Sequence, residues 1–277
     1  MSATHPGARP HDVGPAPAGP RARWVAVALP TEHGGWGLTA EPVLLGLLVA
    51  PSWAGAALGG AAFLAFLVRT PVKVVLVDRF RHRWLPRTRM AAGIAAAELV
   101  ALLGLALLAW SLAGARWLWP VAVAAPLVAV ELWFDMRSRS RRTVPELAGA
   151  VGIAGAAAAV VLADGGPVAL AVGAWLVLAG RATGSIPFVR TQIVRLRSGS
   201  APRRGSDLAQ LAGTVLGIVA AVVERAYALG AGAVLALAVA QVVGVRRPPV
   251  PAKVLGLRQM AAGLAVVLAA SAGTWIS

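Results

Sequence analysis

Residues 144–163 read VPELAGAVGIAGAAAAVVLA, an apolar run whose single charge, Glu146, stands near its amino-terminal edge. An α-helix rises 1.5 Å per residue, so a run of this length reaches about 30 Å, the thickness of a bilayer's hydrocarbon core. Before it stand Arg137, Arg139, Arg141 and Arg142; after it comes the turn Asp164-Gly165-Gly166-Pro167. Basic loop, apolar run and nearly uncharged turn together make a membrane-crossing unit. Working outward, the unit recurs near residues 37–54, 56–78, 90–111, 116–135, 167–189, 206–224, 227–245 and 254–275. The fold class that follows is all-α: a polytopic transmembrane helical bundle of about nine helices, with membrane lipid as its solvent. Composition agrees, since a chain of 277 residues that is 58% hydrophobic and 13% charged cannot hide its apolar surface in one soluble core. The absence of cysteine excludes disulfides and thiolate chemistry.

The net charge of +15 is a matter of topology. Arginines fill the loops at Arg79–Arg89, Arg137–Arg142, Arg195–Arg204 and Arg246–Arg258, alternating with the nearly uncharged turns at Pro51–Gly55, Ser111–Arg116, Ala163–Pro167 and Glu224–Tyr227. By the positive-inside rule the basic loops face the cytoplasm of a cell bounded by a plasma membrane, with the amino terminus inside and the carboxyl terminus outside. The same loops are short and lack stacking aromatics, which argues against nucleic acid as a partner. Residues 1–28, rich in Pro, Gly and Ala without periodicity, are expected to form a disordered cytoplasmic tail, and 29–277 a single bundle domain. Glycines at helix-packing spacing, such as Gly55 and Gly59, Gly149, Gly152 and Gly155, and Gly213 and Gly217, predict close backbone approach within that bundle.

An ionisable residue inside the membrane costs roughly 2.5–3.5 kcal/mol on insertion scales, so each needs a partner, a wet cavity or a task. His33, Gly37 and Glu41 fall on one face of the first helix, with Glu32 just before it. These three acid-base groups line a cavity mouth, or else mark a helix start beside an interfacial Trp36. Arg69 and Lys73 share a face around Pro71, and either clamp an anion or snorkel to the surface. Glu98 sits in mid-helix, where pairing with a buried cation is the simplest account, whereas Asp135 is expected in a surface pair with Arg137 and Arg139. On the sixth helix Arg181 and Ser185 share a face, and the Gly184-Ser185-Ile186-Pro187 sequence predicts a break that aims free backbone groups into a cavity.

The run Leu29-Pro30-Thr31-Glu32-His33-Gly34-Gly35-Trp36-Gly37, the stretch from Pro71 to Arg79 and that from Arg181 to Arg197 resemble the YwiC-like family of bacterial membrane proteins over almost the whole chain beyond the tail. More distantly, Asp78-Arg79 followed by Pro86-Arg87-Thr88-Arg89 resembles the loop after helix two of UbiA-type prenyltransferases, which have nine helices and a cytoplasm-facing cavity. In that superfamily aspartates hold Mg²⁺ against a diphosphate. Here Val74, Val75, Phe80 and His82 stand where carboxylates or Asn-Asp are expected, and Arg190 to Arg195 replaces the second aspartate motif. The resemblance thus implies a UbiA-like bundle with no intact metal site, and no cofactor follows from it. Arginine in place of carboxylate and metal keeps the sign presented to a phosphate.

On that basis the leading expectation is a protein that binds an isoprenoid diphosphate or another anionic lipid, with Arg69, Lys73, Asp78, Arg181, Ser185 and Arg190 at the ligand and Glu32, His33 and Glu41 as acid-base groups. The alternative is a small-anion transporter or permease, drawn from the same basic pocket and the expected break in helix six.

Overall fold

The computed structural model describes residues 27–30, 33–137 and 142–277, with the backbone alone described at His33. Among the described residues there is no strand, and nine helices of four turns or more follow one another. They are α1 (His33–Val49), α2 (Trp53–Phe80), α3 (Pro86–Ala113), α4 (Leu118–Met136), α5 (Thr143–Ala163), α6 (Val168–Ser198), α7 (Arg204–Val223), α8 (Ala228–Gly244) and α9 (Ala252–Ile276), with a 3-10 turn at Arg225–Tyr227 before α8. Every expected span has its helix. Eight of the nine, α8 being taken together with the 3-10 turn before it (Arg225–Gly244), are long and apolar enough to cross a bilayer, while α1 falls below that length. At 1.5 Å per residue α1 reaches about 25 Å.

The interior is built on α5 and α6, the two spans most enclosed by their neighbours. Helix α5 packs against α1, α2, α4 and α6; α6 packs against α7; and α8 and α9 return the chain to α1, closing the bundle. Trp275 of α9 donates to Leu48 O of α1 at 3.0 Å across that closure. Small residues let the helices meet: Ala154, Ala157, Ala158, Val160 and Val161 of α5 are buried in the core. At the α6–α7 crossing a Cβ on Gly180 would lie 2.6 Å from Gly213 O, so backbone touches backbone there. Helix α3 packs chiefly on α2 and turns Leu99, Val100, Leu103 and Leu107 outward, as a lipid-facing helix does.

The two kinds of loop gather at opposite ends. Arg116, between α3 and α4, donates to Gly165 O and Gly166 O between α5 and α6, joining two of the nearly uncharged turns. At the other end Arg195 of α6 donates to Arg247 O beyond α8 at 3.0 Å.

Helix α6 departs from expectation. It runs unbroken through Pro187 to Ser198, nine residues past its expected end at residue 189, and closes on Gly199 in the left-handed region (φ +77°). The extension holds because its polar side chains have partners. Buried Gln192 donates to Gly244 O at 2.9 Å, and buried Arg195 donates to Val245 O and to Gln192 Oε1, so this end of α6 satisfies the carbonyls orphaned where α8 ends. Beside it Phe188 packs with Val245 and Leu255.

Candidate functional site

Inside the bundle Glu41 of α1 meets Arg181 of α6. Arg181 Nη2 lies 2.8 Å from Glu41 Oε1, with side-chain exposures of 5% and 7%. The contact is one of charge, without an aligned hydrogen bond: Glu41 Oε1 has no hydrogen-bond partner among the described residues, and Nη2 donates instead to Gln259 O of α9 at 2.9 Å. Arg181 Nε is buried and likewise without a hydrogen-bond partner. The far wall is Gly263 of α9, where a Cβ would overlap Glu41 Oε1 and stand 2.7 Å from Arg181 Nη2.

One turn along α6, buried Ser185 accepts a hydrogen bond from Gln241 Nε2 of α8 at 3.0 Å, and the same amide donates to Gln259 Oε1 at 3.3 Å. Gln210 of α7 donates to Gln241 Oε1 at 2.9 Å and to Gly184 O at 2.8 Å. Between α6, α7 and α8 lies a narrow recess lined by Arg181, Ser185, Gln210, Thr214 and Gln241. Among the described residues Arg181 is its one charged lining residue. The glutamines escape a reading that searches for charge; the signal for them is a lone amide within an apolar run, which a helix in lipid must hydrogen-bond internally.

The other candidates lie in separate clusters, each with carboxylates of its own. Arg69 of α2 pairs with Glu131 and Asp135 of α4 at 2.9 and 3.1 Å, and Lys73 with Asp135 at 3.1 Å. The anion between Arg69 and Lys73 is thus the protein's own Asp135. The expected surface pairing of Asp135 with Arg137 is not made: Asp135 is fully buried, and Arg137 stacks on the Trp133 ring at 3.6 Å, while Arg139 lies outside the described residues. Asp78, also fully buried, accepts from Arg83 Nε at 2.8 Å, Arg87 Nη2 at 3.0 Å and Thr88 Oγ1 at 2.7 Å. Arg190 pairs with Glu146 of α5 at 2.9 Å. In the last basic loop Arg246 binds Asp207 through two nitrogens, and those hydrogen bonds raise the pKa of the guanidinium above its ordinary value.

Compared with known proteins, residues 29–161 match the model of the YwiC-like protein family. Over that span the chain is similar to that family. The match is shorter than the expected resemblance: it takes in α1 to α4 and nearly all of α5, and stops before Arg181. No curated protein and no solved structure matches. Glu41, Arg69, Lys73, Asp78 and Asp135 therefore belong to the YwiC-like span, and the Glu41–Arg181 pair joins that span to the remaining helices.

Asp78 does not fit the role of a metal ligand, because Arg83, Arg87 and Thr88 already occupy its oxygens. Among the described residues no three Asp, Glu or His side chains converge as a metal cage requires. Glu98 departs from expectation too: it is half-buried, and its buried Oε2 has no hydrogen-bond partner among the described residues. Glu32 and the side chain of His33 lie outside the described residues, as does most of the segment expected to form a tail.

Proposed function

We propose that this YwiC-like membrane protein binds an isoprenoid diphosphate or another anionic lipid inside its bundle, with Arg181 holding the phosphate and Ser185 and Gln241 framing it. The observation that carries the proposal is Arg181 itself: a guanidinium in mid-bundle, buried, lining a recess, with its Nε donor unused. A bare donor in a low-dielectric interior costs free energy until an acceptor arrives, and a phosphate oxygen suits a guanidinium in shape and charge. Arg190, about 13 Å further along α6, and Arg69 and Lys73 of α2 are assigned the approach to the site. If the ligand is turned over, Glu32, His33 and Glu41 are the groups available for proton transfer. The same reading assigns the bundle to a bacterial plasma membrane with its amino terminus and the approach on the cytoplasmic side, an orientation that the arginines in alternate loops support.

The test incubates detergent-purified full-length protein with labelled farnesyl diphosphate, with Mg²⁺ or with chelator, and scores retention and diphosphate release. Chelator-resistant retention that drops on the order of tenfold in Arg181→Ala is the expected outcome, the loss of one charge-assisted hydrogen bond. Equal retention by Arg181→Ala and wild type would remove Arg181 from the site. The competing function, a small-anion permease, no longer draws on a break in α6, since α6 is continuous, and rests on the buried ion pair alone. Anion uptake into proteoliposomes, absent in Arg181→Ala, would bring it forward.

A further inference from the structure

We infer that Glu41 is a resident stand-in for the ligand's anionic group: the phosphate oxygen that binds Arg181 takes the place of the Glu41 carboxylate, so Glu41 opposes binding. This rests on the reading of Arg181 as the residue that holds the phosphate, and it gives the opposite sign from any reading in which Glu41 helps to hold the ligand. Three observations carry it. First, Glu41 Oε1 approaches Arg181 Nη2 at 2.8 Å yet makes no aligned hydrogen bond, so the carboxylate is held by charge and not by directed bonds. Second, Nε, on the same guanidinium, is buried and unpartnered. The planar fork of an arginine is built to give two parallel hydrogen bonds to one oxyanion; Glu41 meets it at one nitrogen, and a phosphate reaching Nε and an Nη together satisfies it better.

Third, the space fits one anion at a time. Gly263 leaves room for the Glu41 carboxylate but not for a methyl group beside it. Arg181 is also, among the described residues, the one charged residue lining the adjoining recess, so a single positive charge serves whichever anion is present. Exchanging one anion for another keeps the buried arginine paired, and the displaced Glu41 carboxylate takes up a proton from water, so that neither group is left as an unpaired buried charge, which is far costlier than a paired one. Arg181 Nη2 stays fixed by Gln259 O throughout.

The experiment measures equilibrium binding of labelled farnesyl diphosphate and, separately, inorganic diphosphate to full-length protein in detergent, with chelator present. Wild type is compared with Glu41→Gln, Arg181→Gln and the double variant. Glu41→Gln is expected to bind on the order of tenfold more tightly than wild type, Arg181→Gln more weakly, and the double variant no better than Arg181→Gln. A gain confined to farnesyl diphosphate identifies a lipid ligand; an equal gain with inorganic diphosphate identifies free phosphate chemistry; either supports the inference. Wild-type or weaker binding by a folded Glu41→Gln protein overturns it, while loss in Arg181→Gln alone leaves the binding site itself standing. Binding of neither probe by any form overturns both. Should Glu41→Gln fail to fold, Glu41→Ala serves instead: there, added formate should fill the carboxylate's place and return binding to the wild-type level, and a lack of effect of formate counts against the inference.

Discussion

A buried ion pair is held less by its own attraction than by the cost of leaving either member alone. Arg181 and Glu41 are both nearly inaccessible, so removing one strands the other in a low-dielectric interior, at about 3–5 kcal/mol, whereas removing both strands neither. Arg181→Met should therefore lower the melting temperature of the detergent-solubilised protein well below that of the Glu41→Gln/Arg181→Met double variant; a double variant as unstable as Arg181→Met would show that the arginine stabilises by packing. The same site makes Gly263 sensitive. A Cβ there meets Glu41 Oε1 and Arg181 Nη2, neither of which is the free end of a mobile surface chain, so Gly263→Ala should destabilise by about 1–3 kcal/mol, the usual range for overpacking. Gly256 on the same helix has open space around it, and its alanine variant should be neutral or mildly stabilising in the same thermal assay.

Helix ends show what the charge pattern conveys and what it conceals. The arginines of the basic loops read as topology markers, and several are, but Arg83 and Arg87 also bind Asp78, tying the end of α2 to the start of α3. Asp78→Asn removes the charge from two ion pairs at once and should speed proteolysis between residues 79 and 85, measured by limited trypsin digestion against wild type. Arg195 was legible as a loop charge because it follows a proline-interrupted run; its role in α6 depends on the carbonyls of Val245 and Arg247 just beyond α8, 50 and 52 residues away in sequence, which no local pattern reveals. Arg195→Met should accelerate amide exchange through residues 244–247 while leaving the middle of α8 protected, since only the terminal carbonyls lose their donor. Asp135 was misplaced for a similar reason: its neighbours in sequence, Arg137 and Arg139, are nearer along the chain than Arg69 and Lys73, yet a helix in lipid turns such a carboxylate toward the cations of an adjacent helix.

For the molecule as a whole, the nine-helix all-α fold was legible because length and hydropathy alone decide where a chain in lipid is helical, and the strict alternation of basic loops with neutral turns repeats the result independently. The association of helices was less so. That Gly180 meets Gly213, or that Gln210, Gln241 and Gln259 form one network, depends on which helices become neighbours, and small or uncharged residues give little notice of it. The fold does sort its loops to two ends, and the chain's lack of cysteine makes those ends directly testable. Single cysteines at Gly114 and Gly165, in neutral turns joined through Arg116, should react with a membrane-impermeant maleimide on intact bacterial cells; cysteines at His82 and Ser200, in basic loops, should react only after permeabilisation. The short α1 makes the amino terminus the discriminating position. If its 17 residues span the bilayer, as its packing between α5 and α9 allows, a cysteine ahead of it, at Pro30, behaves like His82; if it enters and returns on one side, Ser52 and every later position keep their sides while Pro30 changes its own. Labelling at Ser52 and Gly114 from outside the cell, with Pro30 reacting only after permeabilisation, would establish nine crossings; labelling of Pro30 from outside together with Ser52 and Gly114 would establish eight.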